Sequence, residues 1–396
     1  MDQFLLKNAT IYAENEQIQR GYLLIENGKI AYVGPTPPPS NAKEFELSIH
    51  DCVLPGFIDL HIHGAAGADV MDATAKALQT MASVLPKEGT TSFLATTMTA
   101  ASSEIEKAVK NVANYMAHDN RPGEAEVLGI HLEGPFLSPK RAGAQHPRNI
   151  IKADIELFKK WQKEANGHIR LVTLAPEEEN GLSLTAYLKE TGVIASIGHS
   201  DAVYAEVKEA IQAGVTQATH LFNGMRGLHH REPGVVGAVL MHEEVLCEII
   251  ADGIHVAPEM VRFAYRNKGS EGLIAITDAM RAKCLGEGQY DLGGQQVTVR
   301  GKQATLKDGT LAGSILKLKD AVKNIMEFTR CSLEEAIRMA SWNPAKQLGI
   351  LDRKGSILPG KDADIVVLNQ EREVILTFCR GRLAYAKQEV LRSENH

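Results

Sequence analysis

Eight short apolar, β-branched runs, at about 53–61, 91–97, 128–132, 170–174, 193–197, 216–220, 246–251 and 272–277, recur along the middle of the chain. Between them lie segments such as ATAKALQTMASVLPKEG and AVYAEVKEAIQAG, which carry apolar residues at i, i+3 and i+4 with charges opposite and stop at Gly. Strands that are apolar on both faces and alternate with helices require a parallel sheet covered on its outer side. Eight such units across residues 57–345 predict an α/β fold, a (β/α)8 TIM-like barrel, typically ~250 residues plus insertions. A doubly wound open sheet is the rival arrangement. The turn-rich stretch 286–313 reads as an insertion after the eighth strand, before two closing helices around 315–328 and 332–341.

The two ends read differently. From Phe4 to Val33 the pattern is of short strands, with a hairpin signal at Asn27-Gly28, and the C-terminus returns to it in ADIVVLN and EVILTFCRGRLAYA, turning at Arg380-Gly381. A small β-sandwich domain built from both termini is therefore expected, with residues 1–56 as its N-terminal half and 346–396 as its C-terminal half.

Charge and cysteine usage narrow the function classes. With 43 Lys+Arg against 49 Asp+Glu the net charge is −6, so no basic excess exists to neutralise nucleic acid. No basic n-region precedes an apolar stretch, and no apolar run approaches the ~18 residues of a membrane span. The five cysteines are scattered and never form C-x-x-C, which argues against a disulfide framework and a thiolate zinc site and suits a reducing, cytoplasmic location. The charge runs at 177–180 and 361–364 are expected on the solvated surface.

In nearly every unit the apolar run ends in a metal-capable or catalytic residue: DLHIHG, GIHLEGPF, SIGHSD, THLFNGM, ADGIH and ITDAM. The C-terminal ends of barrel strands converge on one active face, so His61, His63, Glu133, His199, His220 and Asp278 are expected to meet there. Alternation turns His61 and His63 to one side of their strand. Alone, such a pair is as readily packed as ligating. With the other four it forms a set of histidines and carboxylates able to hold two divalent metals, of which zinc, iron, manganese and cobalt all accept these donors. A metal lowers the pKa of bound water toward ~7 and polarises a carbonyl, which implies hydrolysis of an amide or ester. Asp278 is then a ligand, the group that carries the proton from water to the departing amine, or both. The loop at 227–234 clusters cations next to Asn223 and Gly224, a composition that suits an anionic substrate group and equally an exposed loop or subunit contact.

As an ordered set, LPGFIDLHIHG, GTTSFLATTMT, LGIHLEGPF, IGHSDA, ATHLFNGM, REPG, IADGIH, ITDAM and DGTLAGS resemble the amidohydrolase superfamily and, within it, the family of N-acetylglucosamine-6-phosphate deacetylases. The resemblance implies a metal-dependent enzyme that removes acetate from a phosphorylated amino sugar. Glu133 would bridge two metals, His61 and His63 completing one site with Asp278, and His199 and His220 the other. Substrate would meet Ala144, Gln145, Asn223, Gly224, Arg231, His255, Leu311, Ala312 and Gly313, with Arg231 on the phosphate and a homodimer as the assembly. Gln145 stands where many members carry histidine, so it can donate a hydrogen bond but no positive charge. Gly224, alanine in many members, is expected to act only through its backbone. A cyclic amide or dipeptide substrate, or a barrel without activity, are the alternatives.

Overall fold

The computed structural model describes residues 3–388, so part of the expected C-terminal half, 389–396, lies outside the described residues. Eight parallel strands follow one another around the barrel: β1 (Phe57–Ile62), β2 (Thr90–Thr97), β3 (Glu126–Glu133), β4 (Ile169–Leu174), β5 (Ile194–Ile197), β6 (Val215–Ala218), β7 (Leu246–Ile249) and β8 (Leu273–Ala275). A parallel bridge between Ile62 and Ala279 closes the ring, which excludes the open sheet. Helices between the strands bury apolar stripes against the sheet: in Ser102–His118 these are Ile105, Val109 and Val112, at the predicted helical spacing. The first closing helix runs Leu318–Thr329; the second, Leu333–Ile337, continues through a π-helical turn at Arg338–Trp342 into Asn343–Gln347.

The termini form one coiled sheet. Strand Phe4–Tyr12 pairs antiparallel with Gln17–Glu26 and parallel with Cys52–Pro55, which in turn pairs with Ile365–Leu368 from the far end of the chain. The sheet folds over itself, since Phe4 meets Phe378 at 5.1 Å between ring centroids although two strands lie between theirs. Alternation explains the continuous apolar run at 365–368. Ile365 and Val367 face the core of this small domain, whereas Val366 and Leu368 join the barrel core. The segment 286–313 folds as a three-stranded antiparallel sheet, Gly288–Leu292, Gln295–Arg300 and Gln303–Thr305, with its own small core around Met98, Met280 and Val297.

The surface reading holds for Glu179 and Asn180, which are exposed, and needs correction for 361–364. Lys361, Asp362 and Asp364 are buried where the two domains meet, because Lys354, Arg353 and Lys29 pair with the two aspartates and Glu14 with Lys361. Glu177 is likewise half-buried, accepting from Ser200 Oγ at 2.8 Å and Asp201 N at 2.6 Å. Whether a charge run finds buried partners is not something composition reports.

Candidate metal centre and active site

The strand ends bring the six candidate donors together around Glu133. On β1, Asp59 and His61 share the inward face with His63 just beyond, while Ile58, Leu60 and Ile62 pack outward into the barrel core. His199, His220 and Asp278 lie just past β5, β6 and β8, and all three have left-handed backbones, with φ of 46°, 32° and 47°. Such conformations cost non-glycine residues on the order of 1–3 kcal/mol each and persist where the surroundings dictate them. Here backbone bonds do so: Asp278 N donates to His61 O at 2.8 Å, and Ser138 N to His199 O at 2.9 Å.

Glu133 divides its oxygens between two groups. Oε1 lies 3.2 Å from His199 Nε2 and 3.1 Å from His220 Nε2, and those two nitrogens are 3.1 Å apart. Oε2 lies 3.5 Å from His61 Nε2 and 3.1 Å from His63 Nε2, which stand 3.4 and 3.2 Å from Asp278 Oδ1. Donors about 2.0–2.2 Å from a common tetrahedral centre stand roughly 3.3–3.6 Å apart, so both groups have nearly the spacing of a coordination shell. Their tautomers fit as well. Nδ1 of His61 faces Glu248 Oε2 at 2.9 Å, that of His63 faces Thr96 O at 3.2 Å and that of His199 faces Arg141 O at 2.8 Å. Each acceptor favours the proton on Nδ1, so the neutral rings of these three carry the lone pair on Nε2, and buried His61 Nε2 has no hydrogen-bond partner among the described residues. The residues present therefore fit a pair of divalent cations.

The carboxylates also shift the titration of the histidines beside them. Burial opposes ionisation of His63, yet Asp278 and Glu133 beside it hold its pKa up at about 9, and the same carboxylates raise His61 well above its ordinary value. Burial would lift Asp278, but His61 and His63 draw it down to about 2. His131, on the same face of β3 as Glu133, is different. Burial and the neighbouring His61 keep it neutral, and its nitrogens face Leu60 O at 3.2 Å and Thr173 Oγ1 at 2.7 Å.

The donors open onto a cavity of about 250 Å³ lined by Gly143, Ala144, Gln145, Asn223, Gly224, His255, Leu311 and Gly313 among others. Two predicted substrate residues fall elsewhere. Ala312 is fully buried in the core of the inserted sheet, because its neighbours Leu311 and Gly313 take the lining positions. Arg231 is on an exposed turn with Nη1 2.8 Å from His230 Nε2, and among the described residues no Lys or Arg lines the cavity. Gln145 is committed within the protein: Nε2 donates to Glu133 Oε2 at 2.8 Å and Oε1 accepts from Thr99 N at 2.9 Å. Gly224 does more than offer its backbone. It has φ +60°, and a Cβ there would stand 3.0 Å from His199 Nδ1.

Residues 52–384 match the amidohydrolase family as a continuous stretch. This chain belongs to the amidohydrolase family. It is 51% identical over 390 residues to the N-acetylglucosamine-6-phosphate deacetylase of Bacillus subtilis (strain 168), covering 98% of each chain. It is 37% identical over 380 residues to the N-acetylgalactosamine-6-phosphate deacetylase of Escherichia coli O157:H7, covering 96% of this chain and 99% of that one. A solved N-acetyl-D-glucosamine-6-phosphate deacetylase mutant from Mycobacterium smegmatis, in complex with N-acetyl-D-glucosamine-6-phosphate, superposes with a TM-score of 0.91 at 32% identity, covering 98% and 100%.

Sequence reasoning missed several residues of this amidohydrolase site. Glu248 is a lone carboxylate in the apolar run LCEI, and that oddity was the available signal. Asp252, within the quoted ADGIH, accepts from His255 Nδ1 at 2.6 Å and, against the opposing effect of burial, raises the His255 pKa. Met98 and Leu292 line the cavity with no signal beyond apolarity.

Proposed function

We propose that this amidohydrolase cleaves the acetamide of N-acetyl-D-glucosamine 6-phosphate, giving D-glucosamine 6-phosphate and acetate. The observation that carries the reading is the set of six buried donors, Glu133 and the five around it, opening onto a cavity of about 250 Å³. Full-length similarity to deacetylases of this substrate supports its identity. Two divalent metals, when bound, supply an ionised water at neutral pH and electrophilic pull on the scissile carbonyl.

The chain's own groups do the rest. His61, His63 and Asp278 would hold one metal and His199 and His220 the other, with Glu133 between them. Asp278 accepts the proton of the attacking water and returns it to the amide nitrogen as that nitrogen departs, since an amine leaves only when protonated. Gln145, already bonded to Glu133, orients that carboxylate. His255, fixed by Asp252, presents Nε2 to the sugar, and Ala144, Asn223, Gly224, Leu311 and Gly313 shape its pocket.

Because the cavity lacks a strong cation, Arg231 is assigned to the phosphate of a neighbouring subunit in a homodimer. Subunits carrying Arg231→Ala and Asp278→Asn, mixed and allowed to exchange, should regain activity in hybrid dimers; exchange without recovery would exclude the shared site. The domain division 1–56, 57–345 and 346–396 and a cytoplasmic place in amino-sugar catabolism or cell-wall recycling complete the proposal. Among the described residues all five cysteines are unpaired, and no helix is long and apolar enough to cross a membrane.

The test is acetate release from N-acetylglucosamine with and without the 6-phosphate, alongside metal analysis. Equal turnover of both sugars, or full activity without metal, would overturn the reading. Comparison with N-acetylgalactosamine 6-phosphate measures how far specificity extends to the C4 epimer.

A further inference from the structure

Glu248 sits in the middle of β7, in the run LCEI, where Cys247 and Ile249 belong to the apolar layer behind the sheet. Alternation therefore turns Glu248 into the barrel, where it is completely buried. A carboxylate there is tolerated only with partners, and three donors converge on it. Oε1 accepts from Gln217 Nε2 at 2.7 Å, and Oε2 accepts from the backbone N–H of His220 at 3.1 Å and from His61 Nδ1 at 2.9 Å.

We infer that Glu248 is a positioning residue serving both halves of the donor set, fixing the His61 tautomer in one and the backbone turn of His220 in the other. The inference rests on the two-metal reading above. His61 and His220 ligate different positions, yet the same oxygen holds both. For His61, a carboxylate on Nδ1 leaves the lone pair on Nε2 and makes that nitrogen a stronger donor than a carbonyl acceptor would. His63 and His199 have only backbone carbonyls at that position. For His220 the bond has a different use. Among the described residues its Nδ1 has no hydrogen-bond partner, so no hydrogen bond orients the ring through its far side. The strained backbone, φ 32°, is what aims Nε2, and Glu248 anchors that backbone through its N–H.

The charge balance points the same way. Two divalent cations bring four positive charges into a buried site where Glu133 and Asp278 supply two negative ones. Glu248 places a third carboxylate one hydrogen bond behind the donors, where it offsets charge without occupying a coordination position. Loss of such outer partners typically weakens metal affinity about 10–100-fold.

The experiment measures zinc binding to metal-stripped full-length protein by competition with a chromophoric chelator, together with ions per chain and the melting temperature of the stripped protein. Wild type is expected to hold two zinc ions. Glu248→Ala should weaken the ion held by His61 about 10–100-fold, so that one ion per chain survives dialysis. Glu248→Gln, whose amide oxygen still accepts from His61 Nδ1–H, should retain two ions with a smaller loss, and it keeps the test open if the alanine variant does not fold. In ¹⁵N-histidine spectra of the stripped protein, one imidazole should lose its fixed Nδ1–H form in the alanine variant. Wild-type zinc constants in folded Glu248→Ala, with only the melting temperature lowered, would reduce Glu248 to a packing role and overturn the inference. A single ion in wild type would instead overturn the two-metal reading beneath it.

Discussion

Two buried clusters of acidic residues invite comparison. At the barrel mouth Glu133, Asp278 and Glu248 face histidines; where the domains join, Glu126, Asp362 and Asp364 face cations. Both bring donor atoms close enough to bind a metal, each carboxylate with imidazoles at the mouth and three carboxylates together at the junction. The junction is already neutralised: Lys354 Nζ contacts all three acids, Arg353 bonds Glu126 at 2.8 Å and Lys29 bonds Asp362 at 2.6 Å. At the mouth no Lys or Arg contacts the acids among the described residues, and imidazole nitrogens face one another, His199 Nε2 standing 3.1 Å from His220 Nε2. Proximity of carboxylates therefore says little about metal binding. What matters is whether the chain itself supplies the positive charge.

The largest effect expected from breaking this contrast is at Asp278. Asp278→Asn should keep its metals and lose turnover by about 10²–10⁴-fold, the usual contribution of general acid–base catalysis; steady-state kinetics with elemental analysis will show it. Near-normal turnover would remove Asp278 from the proton path. At the junction, Lys354→Met leaves buried Asp364 without a cation, while Arg353 and Lys29 still pair with Glu126 and Asp362, and should cost about 3–5 kcal/mol in denaturant unfolding without changing metal content. Altered zinc stoichiometry in that variant would mean that the two clusters are not independent.

His63→Ala should lower the ion count per chain while His199 and His220 still hold the other ion. An unchanged count would contradict the assignment of His63. The smallest effect concerns protons. His63 has its pKa raised from 6.5 to about 9 in the metal-free site, so at pH 7–8 a metal must displace its proton. Zinc affinity should rise with pH and level off near 9, and calorimetry in buffers of different ionisation enthalpy should detect the released proton. By linkage the same group stabilises the metal-free fold fully below pH 6.5 and loses that contribution as pH rises through 9. The loaded protein should not show this loss.

Much of the site was legible because barrel topology converts position in sequence into position in space. A polar residue ending an apolar strand can only emerge at the barrel mouth, so His61, His63, Glu133, His199, His220 and Asp278 were recognisable before any coordinate. Glu248 and Asp252 were not singled out, although one interrupts an apolar run and the other lies within a quoted motif. Their importance lies in what faces them, His61 from β1 and the His255 ring. Gln145, which the resemblance places beside the substrate, does line the cavity, while the use of its polar atoms by Glu133 and Thr99 was not legible in the sequence.

The sequence by itself determined the alternation of strand and helix, the two-ended β domain and the chemical types of the donors, because periodicity and residue chemistry are local properties. Only the tertiary structure decided which nitrogen of each histidine faces the centre, that Arg231 lies outside the cavity of its own chain, and that the acids of 361–364 are buried among cations. Each of those depends on distances between residues far apart along the chain, as between His61 and Glu248, and such distances exist only once the barrel has closed.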